Sequence, residues 1–143
     1  MVRFLSVIAL GLATLPCSAP CSAQAAPFTT AAEVKPILLA TKGNWVSVRE
    51  FDGEDLLYVT HLWSWRCGLS GMRIGINGAL PEAWVVPPCH LDLATPNAIL
   101  EHDGLPFRRY PLQSITRISI DLLFDDETVE TITVNRAGQP VSP

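Results

Sequence analysis

Six prolines fall in one stretch of the chain, at positions 81, 87, 88, 96, 106 and 111. Proline has no backbone N–H to donate, so a central strand cannot run through this stretch, and it can hold edge strands at most. Residues 81–111 therefore read as a long surface excursion. Central strands must come from the segments on either side of it.

The N-terminal flank begins with a segment that reads as an export signal. Arg3 precedes an apolar run, FLSVIALGLATL over residues 4–15, and small residues stand at the −3 and −1 positions in Ala23-Gln24-Ala25. A basic start, about a dozen apolar residues and a small-residue cleavage site describe a secretory signal peptide over residues 1–25. The run is shorter than the roughly 20 apolar residues a membrane span needs. Cys17 and Cys21 each follow a proline rather than the small residue that lipidation requires, and no paired arginines mark a twin-arginine signal. Removing the segment leaves about 118 of the 143 residues, enough for one domain over 26–143 that buries about two-thirds of its unfolded surface. Cys67 and Cys89 then remain as an even pair in an oxidising compartment. No later segment is apolar enough to cross a membrane. A net charge of −4, with no basic stripe, argues against nucleic acid as a partner.

Thr30-Ala31-Ala32-Glu33 has the spacing of a capping box. Val34, Ile37, Leu38 and Thr41 follow at helical spacing. Pro36 removes one intrahelical donor, so a kinked or late-starting helix is expected, ending near Lys42-Gly43. Residues 45–51 (WVSVREF) read as a strand closed by Asp52-Gly53, a tight-turn dipeptide. Residues 55–65 are apolar at both parities and are expected to form one long central strand covered on both faces. Residues 72–76 precede Asn77-Gly78, a second hairpin signal, with 84–86 as a candidate partner strand. Residues 114–124 and 127–134 read as a last hairpin around Asp125-Asp126, and 135–143 as a frayed tail. The expected fold is α+β: a short N-terminal helix packed on roughly five or six mostly antiparallel strands in one sheet, with one disulfide.

The disulfide is expected between Cys67 and Cys89. The hairpin at Asn77-Gly78 can bring its two bases to the roughly 5.5–6 Å Cα separation a disulfide requires. The alternative is a metal site of Cys67, Cys89, His90 and Asp92. Zinc sites usually pair cysteines two to four residues apart, and this pair is much farther apart.

The segment NWVSVREFDGEDLLYVTHLWSWRCGL (residues 44–69), with AAEVKPILLAT before it and PCH (88–90) after it, resembles a family of small secreted bacterial proteins of unknown function. The likeness is strongest over residues 31–97. It implies a signal peptide, one compact domain, two cysteines at these places and a periplasm of the Gram-negative type. It supplies no catalytic residues.

Three groups of residues are candidates for chemistry. His61 could serve as a general base. It shares strand parity with Asp55, but six residues along a strand is about 20 Å, and a structural histidine is the preferred reading. Trp63 and Trp65 fall on one face of the expected strand, with Tyr58 and Arg66 as polar handles, and form a possible ligand platform for a sugar or a partner side chain. The acidic groups Asp52, Glu54, Asp55 and Asp125, Asp126, Glu127 lack the spaced loop of a calcium site and read as solvated turns. No metal ligand set, cofactor motif, phosphate cradle or nucleophile elbow is read here. The sequence thus predicts an exported, periplasmic or secreted, non-catalytic binding or structural module of the envelope, with an envelope protein or glycan as partner. The alternatives are an envelope enzyme, hydrolase-like or metal-dependent, using His61 or His90 with Asp92, and a sugar-binding module using Trp63 and Trp65.

Overall fold

A computed structural model describes residues 27–142. The expected signal segment, 1–25, lies outside the described residues. The chain runs through helix α1 (Ala31–Ala40), strands β1 (Ser47–Phe51) and β2 (Glu54–Tyr58), the one-turn helix α2 (Thr60–Trp63), and strands β3 (Leu69–Ile76), β4 (Glu82–Trp84), β5 (Phe107–Pro111), β6 (Arg117–Phe124) and β7 (Val129–Asn135). Short 3-10 turns occupy Lys42–Asn44, Arg66–Gly68 and Glu101–Asp103.

The fold is α+β, as expected, but its strands form two antiparallel sheets, β1-β2-β5 and β4-β3-β6-β7. The single sheet of the sequence reading fails because residues 55–65 are not one strand. Pairing stops at Tyr58, Val59 turns to φ −119°, ψ 19°, and Thr60–Trp63 is helical. An apolar run without strict alternation fits a buried helical turn as well as a covered strand. Leu62 and Trp63, adjacent in sequence, are both buried, at 0% and 3% exposure. This connector takes the chain out of the first sheet and into the second.

The hairpins follow the turn chemistry. Asp52 and Gly53 both have positive φ, 52° and 75°, and Asn77 and Gly78 have 54° and 88°, the backbone that tight primed turns require. β6 alternates cleanly, with Ile118, Ile120, Leu122 and Phe124 buried. At about 1.5–3 kcal/mol per buried side chain, this one strand is a main source of hydrophobic stabilisation. One buried cluster joins these residues to Met72 and Ile74 of β3, Leu57 of β2, and Ala31, Val34 and Leu38 of α1. α1 ends before Lys42, as expected, but it does not start late: it begins at Ala31 and continues through Pro36. At its N-terminus the Glu33 carboxylate accepts from the Thr29 and Thr30 amides and from the Thr30 hydroxyl. The Ala31 amide is bound by Asp125 Oδ1 at 2.9 Å. Gly68 lets this end approach closely, since a Cβ there would lie 2.4 Å from Val34 Cγ2 and 2.7 Å from the Thr30 carbonyl.

The proline-rich stretch contains β4 and β5, both at sheet edges as its prolines demand. The tail expected to fray is instead tied back. Val134 bridges Pro140, the Val141 amide donates to the Thr133 carbonyl, and Arg136 reaches the core carboxylate of Asp55.

Candidate functional site

Cys67 and Cys89 form the expected disulfide, with Cα atoms 4.9 Å apart across 22 positions. Arg66, next to it, begins the 3-10 turn Arg66–Gly68, and its side chain is fully buried. Its Nε donates to the Pro88 carbonyl at 3.0 Å, Nη1 to those of Trp63 and Asn97 at 3.0 and 2.8 Å, and Nη2 to that of Ala98 at 2.9 Å and to Asp103 Oδ2 at 3.3 Å. A guanidinium has five N–H donors, and each of these has an acceptor. Burial lowers the Arg66 pKa, and the Asp103 charge works against that shift.

Asp103 closes the turn Glu101–Asp103, and its side chain is also fully buried. Oδ2 accepts from the Leu100 amide at 2.8 Å as well as from Arg66. His90 Nε2 lies 2.9 Å from Oδ1 and 3.0 Å from Oδ2. His102 Nε2 lies 4.0 Å from Oδ1, and the two imidazoles meet edge to face with centroids 5.5 Å apart. Burial pushes the Asp103 pKa upward, but the Leu100 amide, His90 and Arg66 together outweigh it and hold the carboxyl below its usual range. Asp92, the partner considered for His90 in the sequence, is exposed, and among the described residues it forms no hydrogen bond or ion pair. The carboxylate that meets His90 comes from 13 residues farther on.

The remaining sequence candidates are dispersed. His61 sits on α2 rather than on a strand. Its Nε2 is 2.8 Å from Thr41 Oγ1, whose own hydroxyl donates to the Ile37 carbonyl at 2.8 Å. The ring therefore donates through Nε2, and burial lowers its pKa. Both facts suit a neutral structural histidine. Trp63 is 3% exposed and belongs to the core, while Tyr58 stacks at 5.0 Å on Phe107. Trp65, half-buried, meets Phe28 edge to face at 5.3 Å, beside an apolar groove of about 270 Å³ that Ala94 and Pro96 also line. With Arg66 fully engaged, the four platform residues do not present one common face.

Asp55, expected in a solvated turn, is fully buried. Arg136 binds it with both terminal nitrogens, Nη1 at 2.6 Å and Nη2 at 2.7 Å. The Gln113 and Ile115 amides donate to it at 3.0 and 3.1 Å. Hydrogen bonding from Arg136 dominates, burial opposes, and the two amides add to the first effect, so the Asp55 pKa lies well below the ordinary carboxylate range. Asp125 and Asp126 likewise serve the fold, binding the Ala31 amide and Thr128. Compared with known protein families, curated proteins and solved structures, the chain matches none.

Proposed function

We propose that the protein is a small exported module of the cell envelope that acts by binding a partner, an envelope protein or a glycan, without catalysis. The observation that carries this reading is where polar capacity and apolar surface lie. The buried charged groups Arg66 and Asp55 have internal partners, whereas a catalytic group must have capacity left for substrate. The four most exposed large apolar residues lie in or beside the excursion, Leu80 at 87%, Val85 at 72%, Leu91 at 71% and Leu105 at 69%, while Phe51 and Val129 elsewhere are 52% exposed. A concentration of this kind suits a contact surface. The disulfide suits an oxidising compartment. The enzyme alternative would now rest on His90 with Asp103 in place of Asp92, and the sugar-binding alternative on Trp65 without Trp63.

Cross-linking in intact envelopes tests the proposal. The wild-type protein should capture one recurrent partner. Capture should fail for the variant Val85→Ser, Leu91→Ser, Leu105→Ser, which should melt as the wild type does. Capture unaffected by the three substitutions, or a turnover that disappears in His90→Gln, would overturn it.

A further inference from the structure

We propose that His90, His102 and Asp103 form a binding site for one divalent late first-row transition-metal ion such as Zn²⁺. This goes beyond the envelope role proposed above and does not depend on it. It shares His90 with the metal reading of the sequence but not the other ligands of that reading, Cys67 and Cys89, which are joined to each other, and Asp92, which is exposed.

One donor atom from each of the three residues lies within 4.8 Å of the others. Zinc held at about 2.0–2.1 Å by nitrogen and oxygen sets neighbouring donors about 3.3 Å apart in a tetrahedron. The His90–Asp103 and His102–Asp103 separations, 2.9 and 4.0 Å, bracket that value. The adjustment falls on His102, whose side chain is 73% exposed and free to swing inward. The other two ligands are held from behind. Asp103 Oδ2 accepts from the Leu100 amide and Arg66 and lies 3.0 Å from His90 Nε2, while Oδ1, among the described residues, meets only the two imidazoles. His90 adjoins the disulfide at Cys89. Fixing ligands through groups behind them is how proteins tune metal affinity.

The donor set chooses the ion class. Two imidazoles and one carboxylate suit Zn²⁺, Cu²⁺ or Ni²⁺, whereas Ca²⁺ and Mg²⁺ want oxygen ligands throughout. The charge of Arg66 counts against a cation nearby. Its contact is with the other carboxylate oxygen, however, and four backbone carbonyls surround the guanidinium. The competing reading is a plain His90–Asp103 ion pair beside an unrelated surface histidine.

Titration of the oxidised protein with Zn²⁺ at neutral pH, followed by calorimetry and by thermal melting, separates the two readings. One Zn²⁺ should bind per chain and raise the melting temperature, and Mg²⁺ should not. His102→Ala should weaken Zn²⁺ binding on the order of tenfold or more while leaving the metal-free melting temperature unchanged, because the side chain is exposed. His61→Gln should titrate like the wild type. A wild-type protein that binds no Zn²⁺, a His102→Ala variant that binds it equally well, or binding that follows His61 would each overturn the proposal.

Discussion

The four-stranded sheet and the excursion between β4 and β5 satisfy their backbones by opposite means. In the sheet, β3, β6 and β7 pair along their lengths, broken once by a register shift between Leu69 and Gly71, so polar satisfaction is spread over a long ladder. The excursion has a few local turns, such as His90 donating to the Pro96 carbonyl. Three of its carbonyls, those of Pro88, Asn97 and Ala98, are held by Arg66. A ladder loses little when one side chain changes, because its bonds are backbone to backbone. A segment organised by one guanidinium concentrates the same task in one residue, and its sensitivity should be concentrated there too.

The largest expected effect follows directly. Arg66→Met keeps an unbranched apolar stem but leaves Asp103 as a buried charge without the guanidinium and strips four carbonyls of their donor. Breaking a buried pair in this way costs about 3–5 kcal/mol. Ile120→Val, deep in the ladder, should cost about 0.5–1.5 kcal/mol. Arg66→Lys should recover only part of the loss, because one ammonium cannot span acceptors that a planar fork reaches. Urea unfolding of the three variants measures the ranking. If Arg66→Met is no worse than Ile120→Val, the contrast between the regions is wrong.

The disulfide is the excursion's second support. Closing a loop of 22 positions restricts the unfolded chain by about 3 kcal/mol in the chain-entropy treatment. Cys67→Ser with Cys89→Ser should lower the melting temperature by several degrees or more. Hydrogen exchange sharpens the comparison, because protection should fall first at the amides of Cys67, His90 and Ala98. Those of β6 should open only with global unfolding. Equal loss of protection in both regions would show that the excursion and the sheet form one cooperative unit.

What could be read from the sequence follows the same division. The run of residues 114–124 before Asp125-Asp126 revealed β6, and the Asp-Gly and Asn-Gly dipeptides revealed two turns, because these signals are local. The disulfide followed from the expected export and the even cysteine number. The connector after β2 was misread because residues apolar at both parities fit a strand or a buried helical turn equally well, and that error carried Trp63 and Trp65 onto a face they do not share. The ion pairs were beyond reach for another reason. Arg66 and Asp103 are 37 residues apart, and Asp55 and Arg136 are 81 apart. A single sequence does not reveal which distant charges will meet. His102 and Asp103 stand side by side in the sequence, but nothing local points either of them at His90.

The smallest expected difference is a pH effect that distinguishes the two buried carboxylates. Asp55 and Asp103 both have pKa values below the ordinary range in the folded protein, while an unfolded aspartate titrates near about 3.9. A depressed folded value contributes stability above the unfolded pKa and loses it as pH falls toward the folded one. Both regions should therefore weaken in acid, below about pH 4, and hold their full contribution at neutral pH. The neighbours of the two groups differ. Asp55 is held by Arg136 and two amides, whose charges do not change in this window. Asp103 is held by Arg66 and the Leu100 amide and also faces His90. Asp55→Asn should lower stability at neutral pH and flatten the acid limb, because the group that titrates there is gone. Urea midpoints measured on either side of pH 4 provide the check. An acid limb as steep in Asp55→Asn as in the wild type would assign the loss to Asp103, and so to the excursion rather than to the tie between β2 and the C-terminal turn.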